Sequence, residues 1–436
     1  MRTAVVALGK IGLPLAVHIA SSGSHVAGID INETVVDLVN KGVEPFPGEA
    51  ELDSRLAAVV ESGQLIATTS FAEGIADADV VIVVVPVVVD AEARPDFRAI
   101  DAATQAIGQN LKPGALVSYE TTLPVHTTRH RFVPALEAAS GRRSGVDFFV
   151  CHSPERVLTG RVFVDLCRYP KLVGGVDARS AELAVEFYET VLTFDERDDL
   201  DRPNGVWDLG TAEAAELAKL AETTYRNVNI AFANELALHA SELGVDAQLV
   251  IAASNSQPYS HIHQPGIAVG GHCIPVYPKF YLSVDRSATL PAAAIAVNES
   301  MPRRAVDAIE TVLGELRGRR VVVLGVAYRG GVKETAFSGA LALRDVLSER
   351  GAVVLGHDPM FTDEELLGLG FEPFRLGGEC DGLIVQADHD EYRRLSSADF
   401  PSVSAVFDGR RILDEASFAG IEVVAFGRPA MPSAPA

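Results

Sequence analysis

Short apolar segments alternate with helical segments through the first part of the chain. Residues 2–8 form an apolar run, a glycine-containing turn follows, and residues 14–21 have the pattern of an apolar helix. Further apolar runs occupy residues 25–29, 80–85 and 115–119. Strands that are buried on both faces are apolar throughout. The alternation therefore predicts a parallel sheet with helices on both sides.

A long helical pattern replaces this alternation between about residues 211 and 243. Apolar positions from Leu217 to Ala231 follow i, i+3, i+4 spacing, and no glycine or proline interrupts the segment before Gly244. Such a helix would be roughly 45 Å long. This length predicts that the helix joins two lobes or forms a subunit interface.

A second unit of strands and helices begins near residue 319. A strand is predicted at 320–324, a helix from about Gly339, and another strand at 352–355. The predicted fold class is therefore α/β, with two Rossmann-like parallel-sheet domains joined by a long central helical segment. The last residues, 428–436, are rich in proline, alanine and serine, and we expect a disordered tail.

Composition and charge narrow the class of partner. With 436 residues, 48% of them apolar and 22% charged, the chain has the composition of a globular protein of two or three domains. Its net charge of −22 repels phosphate backbones and anionic lipid heads. The sequence therefore argues against nucleic-acid and membrane partners, and an anionic ligand would need a local positive site.

The cysteines and the apolar runs indicate a cytoplasmic protein. Four widely spaced cysteines form no CxxC pair and no Cys/His cluster, which predicts neither a metal site nor a disulfide framework. The chain passes directly into a strand without the pattern of a signal peptide. The most apolar stretch, residues 80–89, is interrupted by Pro86 and is shorter than the ~20 residues of a membrane helix.

The first turn has features of a dinucleotide site. Gly9, Lys10, Ile11 and Gly12 lie between a strand and a helix, where a Rossmann phosphate loop belongs. Gly9 would let the backbone approach a pyrophosphate, and Gly12 would allow close packing of helix on strand. Asp30 ends the second strand, where a carboxylate accepts hydrogen bonds from a ribose diol and repels a 2′-phosphate. The turn predicts NAD rather than NADP, although Ala7 replaces the first glycine of the fingerprint.

A second glycine-rich segment, residues 264–277, contains a cysteine. Gly266, Gly270 and Gly271 would free backbone amides to converge on an anion, and Cys273 follows them directly. A thiolate beside amide dipoles is a competent nucleophile. Taken alone, the segment favours a buried structural cysteine over a nucleophile.

Six segments carry motifs that occur together in one family. They read GKIGLPLA at 9–16, ETTLP at 120–124, PERVLTG at 154–160, ELAKL at 216–220 with NE at 234–235, GGHCIP at 270–275 and GVAYR at 325–329. In this order, over nearly the whole chain, they resemble the UDP-glucose/GDP-mannose dehydrogenase family. The resemblance is closest to its UDP-N-acetylhexosamine branch.

The resemblance implies a domain plan and a reaction. The implied domains are an NAD-binding Rossmann domain at 1–200, a central helical domain with the cysteine and a dimer contact at 201–300, and a UDP-sugar-binding domain at 301–427. The implied reaction oxidises the C6 hydroxymethyl group of a UDP-sugar to the acid, in two NAD-dependent steps. The implied assembly is a homodimer.

The resemblance also implies the roles of the catalytic residues. Cys273 would hold the thiohemiacetal and thioester, and Lys219 would stabilise negative charge on the substrate oxygen. Glu155 would activate water, with Thr122 helping to order it, and Thr223 would contact the same oxyanion as Lys219. From the residues alone, Lys219 could be an exposed helix lysine, Glu155 a partner of Arg156, and Thr122 a cap of the next turn.

Further residues are implied as contacts of the two ligands. For the cofactor these are Gly9, Lys10, Ile11, Gly12, Asp30, Pro86, Thr122 and Arg329. For the substrate they are Glu155, Arg156, Val157, Leu158, Lys219, Arg226, Gly266, Gly270, Gly271 and Tyr328. His272 is adjacent to the cysteine, but the family analogy implies a structural role.

Five positions depart from the family pattern around the implied chemistry. Thr223 replaces an asparagine, Tyr277 an aspartate, Tyr259 an arginine, Ala336 an arginine and Ala268 a glycine. Each charge-assisted hydrogen bond lost would weaken binding by about 1–3 kcal/mol. These changes predict retained redox chemistry with altered substrate recognition or kinetics.

Three alternatives stay open from the sequence. The enzyme could act on a different nucleotide sugar or stop at the aldehyde, because an aspartate is missing at position 277. The chain could be a non-catalytic UDP-sugar-binding homologue, although such a pocket has no use for a nucleophile, a cation and a base together. A 6-phosphogluconate-type hydroxyacid dehydrogenase would share the first domain and the long helix, but it does not explain the cysteine loop.

Overall fold

The computed structural model describes residues 1–90 and 92–428, which form two compact units. The first unit contains residues 1–222 and 279–284, and the second contains 223–278 and the residues from 285 onward. The division falls inside the long helix that the sequence predicts. Apart from Arg428, the predicted tail lies outside the described residues.

The elements up to the end of the long helix follow one another in short succession. They are β1 (Arg2–Val6), α1 (Gly12–Ser21), β2 (His25–Ile29), α2 (Glu33–Asn40), α3 (Leu52–Glu61), β3 (Leu65–Thr68), α4 (Phe71–Ile75), β4 (Val80–Val83), β5 (Val88–Val89), β6 (Pro95–Asp96), α5 (Arg98–Asn110), β7 (Leu116–Tyr119), a π-helical turn (Thr128–Phe132), α6 (Val133–Ser140), β8 (Phe149–His152), α7 (Val162–Arg168), β9 (Lys171–Gly175), α8 (Ala178–Val191), β10 (Val206–Asp208) and α9 (Ala212–Leu243).

The remaining elements belong to the second unit, except that most of α11 belongs to the first. They are α10 (Ala247–Ser254), α11 (Tyr277–Val284), α12 (Thr289–Leu313), β11 (Arg320–Leu324), α13 (Gly339–Glu349), β12 (Val353–His357), α14 (Asp363–Gly368), β13 (Glu372–Pro373), β14 (Gly382–Val385), β15 (Ala405–Asp408) and β16 (Glu422–Val424), with 3₁₀ turns at Asp390–Arg394, Ser397–Asp399 and Glu415–Phe418.

The first unit is built on an eight-stranded sheet in the order β10-β9-β8-β7-β4-β1-β2-β3. The strands from β3 across to β8 are parallel, as the apolar runs predict. Every residue of β4 is buried. Strand β9 runs antiparallel to β8, and β10 is parallel to β9. The sequence does not predict this reversal, because an apolar run gives no strand direction.

The second unit is built on a six-stranded parallel sheet in the order β13-β12-β11-β14-β15-β16. Its hydrophobic core is formed by buried residues of the sheet that pack against α12 and α13. The two predicted parallel-sheet domains and the long helix, 32 residues in α9, are confirmed. Within residues 1–90 and 92–428, no helix has both the length and the apolar character needed to cross a membrane.

Candidate active site

The turn after β1 has the close packing that its glycines predict. A Cβ atom on Gly12 would lie 1.9 Å from the Ala7 carbonyl oxygen, so only glycine fits at the start of α1. A Cβ on Gly9 would meet no atom within 4 Å, so this side of the turn is open to a ligand. Ala7 takes a φ of +78°, a conformation that glycine adopts at lower cost. The missing fingerprint glycine is thus replaced by a strained alanine in the same backbone shape.

Replacing each of these two glycines by alanine is expected to have different effects on stability and on NAD binding. Gly12→Ala is expected to lower the free energy of unfolding by about 1–3 kcal/mol, because the new methyl group collides with the backbone of Ala7. Gly9→Ala is expected to change it by less than about 0.5 kcal/mol and to weaken NAD binding. Urea unfolding of both variants measures the change in the free energy of unfolding, and NAD titration measures the change in affinity. Equal stability of the two variants would contradict the packing argument.

Asp30 follows β2 and lies beside the turn. Its Oδ2 accepts a hydrogen bond from the Leu8 amide at 2.8 Å, and its Oδ1 accepts one from the Asn32 amide at 2.9 Å. The carboxylate is thereby held at the carboxyl ends of β1 and β2. In parallel sheets, ligands bind beyond the carboxyl ends of the strands, at the position where the strand order reverses. In this sheet that position lies between β1 and β4.

The segments after β4 and β7 reach the same edge. The Thr121 hydroxyl donates to the Val85 carbonyl at 2.7 Å, which ties the two segments together. Thr122 is buried, and Pro86 is exposed. The structure therefore brings the predicted cofactor residues Pro86 and Thr122 to the edge that carries the glycine turn and Asp30.

The carboxylate of Glu155 is held from several sides in the loop after β8. Its Oε1 accepts hydrogen bonds from the amides of Arg156 and Val157 at 2.6 and 3.2 Å. Its Oε2 accepts one from the Lys171 ammonium at 3.2 Å. Burial alone would raise the pKa of Glu155, but the charge on Lys171 and the amide donors outweigh burial and lower it. Glu155 is a fixed, ionised carboxylate with 12% of its side chain exposed.

Lys219 lies on α9 in the same unit as this carboxylate. Its side chain is 7% exposed, and its Nζ is 3.9 Å from Oε1 of Glu222. The other oxygen of Glu222 accepts from Nε of Arg156 at 2.8 Å. A chain of charges therefore connects Lys219 to the residue next to Glu155. The alternative of an exposed helix lysine is wrong.

Glu216 fixes the beginning of α9. One oxygen accepts from the amide and the hydroxyl of Thr128 at 2.8 and 2.7 Å, and the other accepts from the His126 amide at 2.7 Å. Burial raises the pKa of Glu216 to about 7, although these three donors oppose the rise. Because Glu216 lies about one helical turn before Lys219, this anchor fixes the part of α9 that carries the lysine to the segment that contains His126 and Thr128.

Two acidic residues that belong to none of the motifs anchor the segment at 154–160. Glu49 accepts from the amides of Gly160 and Val162, each at 2.6 Å. Asp165 accepts from the Leu158 amide at 3.0 Å. Of the predicted substrate contacts, Leu158 is exposed, whereas Arg156 and Val157 are half-buried. Glu49 is more than 100 residues from this segment along the chain, so local spacing does not identify it.

In the second unit, the glycines of the cysteine loop have a packing role. A Cβ on Gly270 would lie 2.4 Å from Cβ of Tyr328, and Gly271 has a φ of +87° over the same ring. The Gly271 amide donates to the Ala336 carbonyl at 2.8 Å, and the Gly266 amide donates to Oδ1 of Asn234 at 2.9 Å. Two of the three amides therefore have protein acceptors. The expectation that they converge on an anion is wrong for Gly266 and Gly271.

Asparagines of α9 and α12 hold this loop. Nδ2 of Asn234 donates to Asn298 at 2.9 Å, and Asn298 in turn donates to the Asn227 carbonyl at 3.1 Å. The Cys273 carbonyl accepts from the Tyr277 amide at 2.9 Å, so the cysteine lies one turn before the first residue of α11. Cys273 itself is half-buried. The buried structural cysteine that the sequence left open is therefore not what the fold contains.

The other predicted residues of this unit differ in exposure. The Nε2 atom of His272 is 3.4 Å from the Glu334 carboxylate. The Arg329 guanidinium lies over the Tyr328 ring, 5.8 Å from its centroid. Tyr259 is 92% exposed, whereas Thr223 is 1% exposed. Arg226 is close enough to His263 for its charge, together with burial, to lower the pKa of that imidazole.

A cavity of about 320 Å³ opens beside the loop within the second unit. Its lining residues are Gln248, Ala252, Gln264, Pro265, Asp408, Gly409, Arg410, Arg411 and Phe426. Arg410 is paired with Asp388 at 3.0 Å, and Arg411 with Asp246 at 2.7 Å. Both guanidinium groups are thus paired with carboxylates, and Asp408 also lines the cavity, so two arginines lie there without an excess of positive charge. The sequence did not reveal the cavity, because the lining residues are distant along the chain.

Comparison with known families agrees with this geometry. Models of the UDP-glucose/GDP-mannose dehydrogenase family match residues 1–192 as its NAD binding domain, 213–301 as its central domain and 322–415 as its UDP binding domain. The chain belongs to this family. It is thus an oxidoreductase with NAD as cofactor, as predicted.

Several relatives are similar over almost their whole length. UDP-N-acetyl-D-mannosamine dehydrogenase of Pyrococcus horikoshii is 34% identical over 95% of this chain and 96% of its own. The NDP-N-acetyl-D-galactosaminuronic acid dehydrogenase of Ralstonia nicotianae is 32% identical over 90% of this chain and 92% of its own. The solved structure of UDP-D-ManNAc dehydrogenase from Pyrococcus horikoshii superimposes with a TM-score of 0.87 over 98% of this chain and 99% of that one, at 34% identity. These likenesses support the N-acetylhexosamine branch.

Proposed function

We propose that this protein oxidises the C6 hydroxymethyl group of a UDP-N-acetylhexosamine to the uronate, using two NAD. The observation that carries the proposal is a chain of charges in the first unit: the buried ammonium of Lys219 is 3.9 Å from Glu222, which pairs with Arg156. The amide of Arg156 donates to the fixed carboxylate of Glu155, and the same unit contains the dinucleotide turn. Relatives that cover nearly the whole chain are named for this substrate class.

The residues of the first turn fit NAD. Gly9 leaves open space for a pyrophosphate, and the amino end of α1 faces it. The Asp30 carboxylate suits a ribose diol and repels a 2′-phosphate. When bound, NAD accepts the hydride that leaves C6 in each oxidation. Lys10, Ile11, Thr122 and Arg329 are further proposed contacts.

The proposed steps distribute the chemistry among three side chains. The substrate hydroxyl gives its proton to solvent, and Lys219 stabilises the resulting negative charge on the oxygen, from which C6 then loses a hydride to the cofactor. The Cys273 sulfur adds to the aldehyde carbon to form a thiohemiacetal, and loss of a second hydride leaves a thioester. Glu155 takes a proton from water as the water oxygen bonds to the carbonyl carbon. The carbon–sulfur bond then breaks, which releases the acid and the thiolate.

The UDP group is proposed to bind in the second unit. The cavity beside the cysteine loop contains Arg410 and Arg411, and guanidinium groups bind phosphate oxygens in bidentate geometry. A Cβ on Gly266 would lie 3.6 Å from Nη1 of Arg410, so the loop glycine and the cavity are adjacent. Tyr328, Gly270 and Arg226 are further proposed contacts.

We also propose that the protein is a cytoplasmic homodimer. Tyr225, Phe232 and Tyr259 are large side chains that are 58%, 52% and 92% exposed in the second unit. Exposed aromatic groups are enriched where subunits meet. The contact would use the exposed face of α9, as its length predicts.

The decisive test is a panel of UDP- and GDP-hexoses monitored by NADH absorbance. We expect two NADH per sugar with UDP-N-acetylmannosamine or UDP-N-acetylglucosamine, because both oxidations occur before the product leaves. One NADH per sugar, with an aldehyde trapped by hydroxylamine, would instead assign the aldehyde-forming reaction that Tyr277 leaves open. Binding of a UDP-sugar by calorimetry without NADH from any sugar would overturn the enzymatic proposal.

A further inference from the structure

A buried polar network lies directly behind Glu155 at one edge of the first sheet. Glu120 follows the last residue of β7, Glu155 lies three residues after β8, and Lys171 is the first residue of β9. Because β9 runs antiparallel to β8, its amino end reaches the edge at which β7 and β8 end. Three ionisable side chains from three neighbouring strands therefore meet there.

The Lys171 ammonium bridges the two carboxylates. Its Nζ is 2.7 Å from Oε2 of Glu120 and 3.2 Å from Oε2 of Glu155. The Tyr188 hydroxyl donates to the other oxygen of Glu120 at 2.5 Å and is itself 2.8 Å from the Ser118 hydroxyl. The Glu120 side chain has no exposed surface, and that of Lys171 is 6% exposed. Each oxygen of Glu120 thus has a donor inside the protein.

The network contains two carboxylates and one ammonium, so one carboxylate charge is uncompensated. Burial raises the pKa of Glu120 to about 7, against the opposing effect of Lys171, whereas Glu155 stays ionised. Burial alone would lower the pKa of Lys171, but the two carboxylates raise it, so the ammonium stays charged. Glu120 and Glu155 therefore share one proton below the pH at which Glu120 titrates, and they share none above it.

The neighbouring titratable groups do not change charge near neutral pH. Burial and the charge on Lys171 lower the pKa of His152 to about 3, so its imidazole is neutral. Burial raises the pKa of Cys151 to about 12 and that of Tyr188 well above its usual range. Among these groups, Glu120 is the one whose protonation changes around pH 7.

We propose that Glu120 and Lys171 are positioning residues for Glu155: Lys171 fixes its carboxylate, and Glu120 shares the proton that Glu155 takes from water. This inference rests on the proposed function, in which Glu155 activates the water that hydrolyses the thioester. With Glu120 ionised, the proton gained by Glu155 lies between two carboxylates and is held more strongly than on one. Hydrolysis of the thioester is therefore faster above the pH at which Glu120 loses its proton than below that pH.

Glu120→Gln is the variant that separates this role from a structural one. It keeps the size of the side chain and removes the titration. In the wild type, we expect the hydrolysis rate to rise about tenfold between about pH 6 and 8. In Glu120→Gln the rise is absent, and at the higher pH an acyl adduct accumulates on Cys273. Intact-protein mass spectrometry of quenched turnovers, together with NADH release, measures both quantities.

Matched variants separate a loss of the proposed role from a general disturbance of the fold. Lys171→Arg retains the charge and is expected to restore hydrolysis in part, whereas Lys171→Met accumulates the adduct. Thr104→Val removes a buried hydroxyl that is 3.0 Å from the Tyr119 hydroxyl in the same unit, and it is expected to keep the wild-type pH profile. A folded Glu120→Gln enzyme with the wild-type pH profile and no added adduct would overturn the inference. Absence of NADH from the wild type with every sugar would instead refute the proposed function.

Discussion

Replacing Cys273 by serine is expected to reduce the turnover of a UDP-N-acetylhexosamine to acid by about 10³-fold or more, since a serine alcohol is a far poorer nucleophile than a thiolate. The first oxidation does not use the sulfur, so aldehyde remains the expected product of any residual activity. NADH release and mass analysis of the sugar product distinguish the two steps.

Cys167→Ser is the matched control for this experiment. Cys167 is half-buried like Cys273, and it contacts Thr193 within the first unit. Its replacement is expected to leave turnover near the wild-type value. Full acid formation by Cys273→Ser would rule out a covalent adduct on this cysteine.

Replacing Lys219 by methionine is expected to slow both oxidations by about 10²- to 10³-fold, because the charge that stabilises the developing oxyanion is lost. The side chain is 7% exposed, so water cannot replace the ammonium efficiently. Rapid-mixing measurement of the first NADH released reports the effect before hydrolysis contributes. Lys219→Arg keeps the charge and should recover part of the rate.

Lys112→Met provides the comparison for a lysine of the same unit outside the site. Lys112 pairs with Asp79 at 2.5 Å, and Asp79 directly precedes β4 at the opposite edge of the sheet from the glycine turn. Its loss is expected to leave the first NADH release unchanged. If Lys219→Met released its first NADH as fast as Lys112→Met, the proposed oxyanion role of Lys219 would be excluded.

Much of the fold follows from the sequence because burial on both faces demands uninterrupted apolar strands. The predicted strands at 25–29 and 320–324 match the structure, and the helix predicted at 211–243 begins one residue later. The strand predicted at 80–85 ends at Val83, where the backbone leaves the sheet. The direction of β9 could not be predicted, because its apolar residues are compatible with either orientation.

The candidate residues selected from the sequence belong to motifs, and those it missed come from distant parts of the chain. Glu155 and Lys219 were selected from motifs, and the structure links Lys219 through Glu222 to Arg156, the residue after Glu155. The partners that hold Glu155, above all Lys171, come from strand pairing that local spacing does not encode. The glycines at 270 and 271 lie against the Tyr328 ring, a packing role that the sequence did not indicate.

The reversed strand β9 also affects how this protein can diversify. A residue at the start of a paired strand is restrained by the backbone ladder, whereas one in a loop moves with every insertion. Lys171 occupies such a start, and the exposed segment around Leu158 precedes it at the same edge. Under the proposed function, changes of length near Leu158 would reshape sugar recognition while the ammonium stays in register with its carboxylates. Selectivity and proton handling would then be encoded in separable stretches of chain.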